Sequence, residues 1–344
     1  MNAGERTVEW LFREQLKVDA EWSVRIPNGF RWWADKNAQT VEVVGQETGP
    51  DGELGYWVSV RTELLRSLDL GEQALATINK ALMPWASMSG LVYDEQSRTL
   101  SLASLVRVCD DNSRWINPLI SVSAVLQIGE AGSIGPGLAL LLCAEEALSG
   151  PPGRGMRTKP DLVANADTLF KAIGSPPSRW PQAEFREAVN RYMNQPPSLL
   201  ATSGKLGFTV EFPYGDQSSL CQAKADQPHS LYGHGLFLLQ SFPHVAESDL
   251  EGARLALSMN NLELTERPFG YGFGSYVYRD NMLHFNSFFP NASYRPGLLP
   301  NIYFSCAQRA REVSMKLTGA DWTEASFSPR SSAIGRMTGR SKGR

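Results

Sequence analysis

Cysteine is scarce in this chain: four among 344 residues, at 109, 143, 221 and 306, with no CxxC pair. That excludes a disulfide framework and a zinc ribbon, and it fits a reducing cytoplasm. Histidine is as scarce, at 229, 234, 244 and 284, and no HExxH helix is present. The GxSxG elbow of serine hydrolases is missing. Gly150-Pro-Pro-Gly-Arg-Gly155 lacks the GK[ST] end of a phosphate loop, and its prolines remove the N–H groups such a loop needs. No apolar run approaches the roughly 20 residues a membrane helix needs, and Leu138–Ala144 reads as a buried helix segment. The N-terminus carries Glu5, Glu9 and Glu14 and no apolar core, so it is not expected to be a signal peptide. Charge of one sign is lacking too. With 33 basic and 36 acidic residues, the net charge of −3 leaves no uniform footprint for nucleic acid. The expectation is a soluble cytoplasmic protein without cofactor, resident metal or membrane contact, and no reaction class is named.

What is present is globular composition, at a length that suits two domains. Two Pro/Gly-rich stretches, 149–160 and 174–181, punctuate the middle, with a short helix expected between them at 161–173. The expected organisation is a first unit at 1–150, a linker at 151–180, a second unit at 181–320 and a tail at 321–344. From Thr323 on, the tail carries five Arg/Lys and Glu324, hence +4, against −7 for the rest. It has too little apolar surface to offset its ordering entropy and reads as disordered. Its basic charge leaves open a contact with nucleic acid or an acidic partner.

The sequence repeats itself. Trp22–Gly29 parallels Phe208–Gly215, and Gly55–Val60 parallels Gly235–Gln240. Asp69-Leu70 parallels Asp249-Leu250, each Asp suited to cap a helix. Val92-Tyr93 parallels Val277-Tyr278, and Leu100–Ser104 parallels Leu283–Ser287. Finally Asn117-Pro-Leu-Ile parallels Leu299-Pro-Asn-Ile. The spacing is nearly constant from pair to pair, which argues for a gene duplication. Each copy reads helix, three strands, helix, two strands, helix. In the first, helices are expected near 5–18, 71–83 and 117–131, and strands near 22–33, 39–45, 55–61, 87–93 and 98–108. In the second, helices are expected near 182–194, 248–262 and 300–317, and strands near 206–212, 217–224, 235–241, 273–279 and 282–288. A further helix at 137–148 belongs to the first copy alone. Strands bunched on either side of one helix predict α+β domains with mainly antiparallel sheets.

This element order resembles the secretion-chaperone-like fold, the family of the type III secretion chaperones and the YbjN proteins. The type VII secretion chaperones, also built from two related halves, are similar by the same logic. The resemblance lies in element order and size and covers most of each copy. It implies a peptide-binding module rather than an enzyme, folded as a pseudo-dimer within one chain.

Aromatic residues are the candidate contacts. Trp32-Trp33 puts one indole on each face of a strand, so one is expected to face a partner. Trp10, Trp32, Trp33, Trp57, Phe237 and Phe273 are the expected client-binding residues, in a groove for apolar or amphipathic segments. The run Phe269-Gly-Tyr-Gly-Phe-Gly274 reads either as a strand in close contact with another backbone or as a flat aromatic face. Two alternatives remain. One is an enzyme or small-ligand protein with a site between the halves around Cys221, His229, His234 and His284. The other is a structural subunit of a secretion assembly.

Overall fold

The computed structural model describes residues 1–49, 52–82, 85–165, 180, 183, 198–199 and 207–320. The tail 321–344 lies outside the described residues. So does the helix expected at 182–194, Ala183 excepted, and most of the helix expected at 161–173. Leu162–Asn165 form a single 3-10 turn.

The first half runs α1 (Ala3–Trp10), β1 (Ser23–Ile26), β2 (Gly29–Trp32), β3 (Gln39–Thr48), β4 (Leu54–Arg66) and α2 (Glu72–Leu82). It continues with β5 (Gly90–Asp94), β6 (Thr99–Val108), α3 (Ser113–Leu142) and the two-residue β7 (Glu145–Glu146). The second half runs β8 (Ser198–Leu199), β9 (Gly207–Tyr214), β10 (Gln217–His229), β11 (Gly233–Pro243) and α4 (Asp249–Asn261). It ends with β12 (Ser275–Arg279), β13 (Met282–Pro290) and α5 (Leu298–Thr318). The class is α+β, with two antiparallel sheets flanked by helices. Strand order is β1-β2-β3-β4-β6-β5 in one sheet, with β7 added on β4, and β8-β9-β10-β11-β13-β12 in the other. Position for position the two orders coincide, and α3 and α5 follow β6 and β13 in the same way.

Alternation explains the layers. On β4, Val58, Val60 and Thr62 are buried on the α3 side, where the Thr62 hydroxyl donates to Gln127 at 3.0 Å. Gln127 in turn donates to the Val60 carbonyl at 3.2 Å, and Gln39 donates to the Ala124 carbonyl of α3 at 2.9 Å. In the second half Gln240 donates to the Cys306 carbonyl of α5 at 2.8 Å. Ala124 and Cys306 keep the spacing of the sequence repeat, so each long helix is tied to its sheet at the equivalent turn.

The halves embrace reciprocally. Asn79 of α2 accepts from the Tyr278 N–H at 2.8 Å and donates to the Tyr278 carbonyl at 2.8 Å. Asn261, at the end of α4, does the same to Tyr93, at 2.9 and 3.0 Å. The Gly272 N–H donates to the Leu105 carbonyl at 3.1 Å, and the Phe288 N–H donates to the Ser87 carbonyl at 3.2 Å. Each pair of contacts exchanges positions that the repeat makes equivalent, as an isologous dimer interface does. The outcome is that β5 and β12, the last strands of the two sheets, are each covered by the other half's helix, which blunts two edges that could otherwise aggregate. One cluster of buried side chains runs from Val60 and Ile120 to Phe285 and Ile302, so the halves share a core.

Three expectations change. The strand expected at 22–33 is a hairpin, because Pro27-Asn28 turns the chain between β1 and β2. Sheet position then matches β9 with β2, since Gly29 pairs Glu42 and Gly207 pairs Lys224, so the sequence parallel between 22–29 and 208–215 is one strand out. Second, the helices expected at 117–131 and 137–148 are one 30-residue helix, α3. Pro136 does not break it, because the carbonyl it frees belongs to exposed Gly132 and can meet water. Third, Glu145–Glu146, expected inside that helix, pair with Leu65 and Arg66 of β4. By length and composition α3 could cross a membrane; here it packs along the first sheet, but Leu140 and Leu141 at its end, expected to be buried, are 81% and 63% exposed.

Candidate functional site

The candidate site is a cleft of about 640 Å³ on the first half. Its volume falls within the range of ligand sites. One wall is the outward face of α1 and the turn after it, with Met1, Glu5, Glu9 and Arg13 spaced four apart. The opposite wall is the β1–β2 turn, Ile26–Gly29. The floor is Val43–Gln46 of β3, with Tyr56 of β4 beside it.

Local geometry makes this floor unusual. Pairing between β2 and β3 stops at Gly29–Glu42, while β3 continues to Thr48 along β4. A bulge lies between Val43 and Gly45, which leaves Val44 unpaired and 44% exposed. Among the described residues, no strand pairs with the outer side of 44–48. Gly45 is needed here, because a Cβ on it would sit 2.4 Å from the Trp57 ring. Charge in the cleft is largely internally matched. Glu9 pairs with Arg13 and, at 2.9 Å, with Arg25, whose guanidinium lies 3.5 Å from the Phe12 ring centre. Burial pushes the Glu9 carboxyl up, but Arg25 and Arg13 outweigh it and hold it below the usual value. At the helix start, Asn2 and Glu5 form a reciprocal capping box that fixes α1.

The expected contact residues divide. Trp57 and Phe237 are half-buried on the sheet faces turned away from α3 and α5. Trp57 packs over Gly45 beside Arg107, which pairs with Glu47 at 3.1 Å. Phe237 lies between Lys224 and Phe288. Trp10 is half-buried against the core. The other three are interior. Trp32 is fully buried, its indole donating to Gln39 at 2.9 Å. Trp33, on the other face of the strand, is covered by the chain's own 149–161 segment. Its indole donates to Ser149 at 2.9 Å, and Arg157 donates to its carbonyl at 3.0 Å. Phe273 is buried against Phe289 of β13. The glycine-rich run makes the close backbone approach: a Cβ on Gly272 would lie 2.6 Å from the Leu105 carbonyl oxygen. Trp32, Trp33 and Phe273 are therefore packing residues, not client contacts.

The alternative constellation is not assembled. Cys221 and His229 lie eight residues apart along β10, and Cys221 and His284 project from opposite faces of the second sheet. Cys221 lies against Cys306, which together with burial pushes its thiol well up, the opposite of an activated nucleophile. His229 stacks on Tyr232 at 4.5 Å, and burial lowers it to about 4. His284 Nδ1 meets the Ser241 hydroxyl at 2.8 Å across β11 and β13. Burial lowers this imidazole, against a backbone bond at Arg279 and the charge of Asp280. No carboxylate hydrogen-bonds to it among the described residues. His234 is exposed. No group of three or more His, Cys, Asp or Glu that could hold a metal occurs among the described residues.

Two buried polar clusters went unnoticed in the sequence. Arg309 of α5 is 1% exposed and makes a two-pronged pair with Glu263 at 2.7 to 3.0 Å, while Tyr276 donates to Glu263 at 2.6 Å. Burial would lower the guanidinium, but Glu263 drives it up. The second is Glu130 of α3, which meets Ser87, Ser89 and Tyr232. Both are sealed from solvent. No family model, curated protein or solved structure matches this chain.

Proposed function

We propose that the chain is a non-enzymatic peptide- or protein-binding module, chaperone- or adaptor-like, built as a fused pair of secretion-chaperone-like copies. The observation that carries this reading is the cleft whose floor includes Val44–Gln46, part of the unpaired outer side of β3 that runs on to Thr48. A free strand edge offers backbone N–H and C=O groups to an extended segment, and Val44, Met1 and Tyr56 offer apolar contact beside the charged α1 face. The reciprocal packing of the halves supports the pseudo-dimer part of the reading. The four free thiols favour a cytoplasmic setting. A photo-crosslinking side chain placed at Val44, in cells, tests it. The expected result is adducts of one or a few discrete masses at 44 and none at Val245, a still more exposed apolar position in the second half. No adduct at 44, or the same adducts at both positions, contradicts the reading.

A further inference from the structure

Glu130 has no measurable exposure, and it sits where the halves meet. It accepts from the Ser87 hydroxyl, from Ser89 at 2.8 Å and from the Tyr232 hydroxyl at 2.8 Å. The serines belong to the first half, just before β5. Tyr232 comes from the turn between β10 and β11 of the second. These partners, and the Trp85 indole beside them, are neutral, and no Lys or Arg pairs with Glu130 among the described residues. The surrounding elements carry few titratable groups. The 85–89 segment has none, and Glu130 is the one charged residue of α3 beyond Arg114. The β10–β11 turn contributes Tyr232 and His229, with His229 Nδ1 accepting from the Leu231 N–H at 3.1 Å. Phe288 and the 291–293 turn contribute none.

The repeat supplies a comparison. Glu312 occupies the equivalent place on α5 and pairs with Arg267 at 3.5 Å near the surface. The carboxyl that bridges the halves is thus the one without a cation. A buried carboxylate without a counter-charge is costly, whereas the neutral acid is satisfied by hydroxyls that can turn either way. Burial accordingly pushes this carboxyl up, more than the Ser87, Ser89, Tyr232 and Trp85 side chains lower it.

We propose that Glu130 is a proton-operated latch between the halves: the neutral acid holds the junction closed, and the carboxylate loosens it. This does not depend on what the cleft binds.

The test uses hydrogen exchange of the full chain from pH 6 to 9. The reporters are the two amides that cross the junction, Phe288 N–H and Gly272 N–H. After correction for the intrinsic rate, their protection is expected to fall at least threefold relative to amides within β4, and to stay level in Glu130→Gln. An unchanged ratio in the native chain, or the same fall in Glu130→Gln, overturns the proposal. Should that variant fail to fold, the carbon-13 shift of the Glu130 carboxyl in the native chain decides. Titration above the ordinary carboxylate range, moved further up by Tyr232→Phe, supports the latch. Titration within that range refutes it.

Discussion

At the scale of single residues, the two asparagine clamps and the Arg309–Glu263 pair hold the most specific energy. Each asparagine satisfies both backbone groups of a tyrosine on the opposing half. Asn79→Ala and Asn261→Ala are each expected to lose about 1–3 kcal/mol, since buried partners are left unpaired. Urea midpoints check this, and similar losses at the two sites are expected from their equivalence. Arg309→Met strands a buried carboxylate and is expected to lose about 3–5 kcal/mol. Replacing Glu263 with Gln in the same chain should restore part of that loss. Little of this was legible in the sequence. An Asn near a helix end reads as a weak helix former, and its bonds run to partners far along the chain, Tyr278 for Asn79 and Tyr93 for Asn261. Only the fact that Asn79 and Asn261 keep the spacing of the other repeat pairs could have flagged them. Trp33 misled for a related reason: alternation put the two indoles on opposite faces of the strand, but could not show that Ser149 and Arg157 would cover the one outside the core.

At the scale of elements, alternation and turn residues were informative where the chain obeys one period. β5, β6, β12 and β13 fall close to where the pattern puts them. The misses come from Pro and Gly whose effect depends on surroundings: Pro27 turns the chain, while Pro136 rides inside α3 beside exposed Gly132. The cleft was not legible at all, because it arises where β2 stops short of β3 and a bulge turns Val44 outward. Its Gly45 is a sensitive point. Gly45→Ala forces the Trp57 ring away and is expected to lose about 1–3 kcal/mol by overpacking. A lower urea midpoint with an altered near-UV dichroism signal would confirm it. The β10–β11 turn carries a pH signature. His229 is held near 4, below its unfolded value of about 6.5, so its contribution to stability is present above 6.5 and lost as pH falls towards 4. His229→Phe should flatten that part of the acid limb in thermal melts between pH 4 and 7. Glu130 acts with the other sign. Raised above its unfolded value, it favours the fold most at low pH and less as pH rises through its folded value.

At the scale of the whole molecule, the duplication read from six sequence parallels appears as two sheets of one strand order, joined through exchanged equivalent contacts. The shared core means the halves should unfold together. A single urea transition, coincident by far-UV dichroism and by tryptophan fluorescence, is expected. Two separated transitions would show that each half stands alone. Duplication also explains the placement of the cleft: two of the sheet edges are consumed in joining the halves, and the outer side of β3 lies away from that junction. Hydrogen exchange of the full chain, alone and saturated with a client captured at Val44, tests the central claim most directly. The account expects new protection at 44–48 and along the adjoining face of α1. Protection confined to the second half, or no change at 44–48, would contradict it.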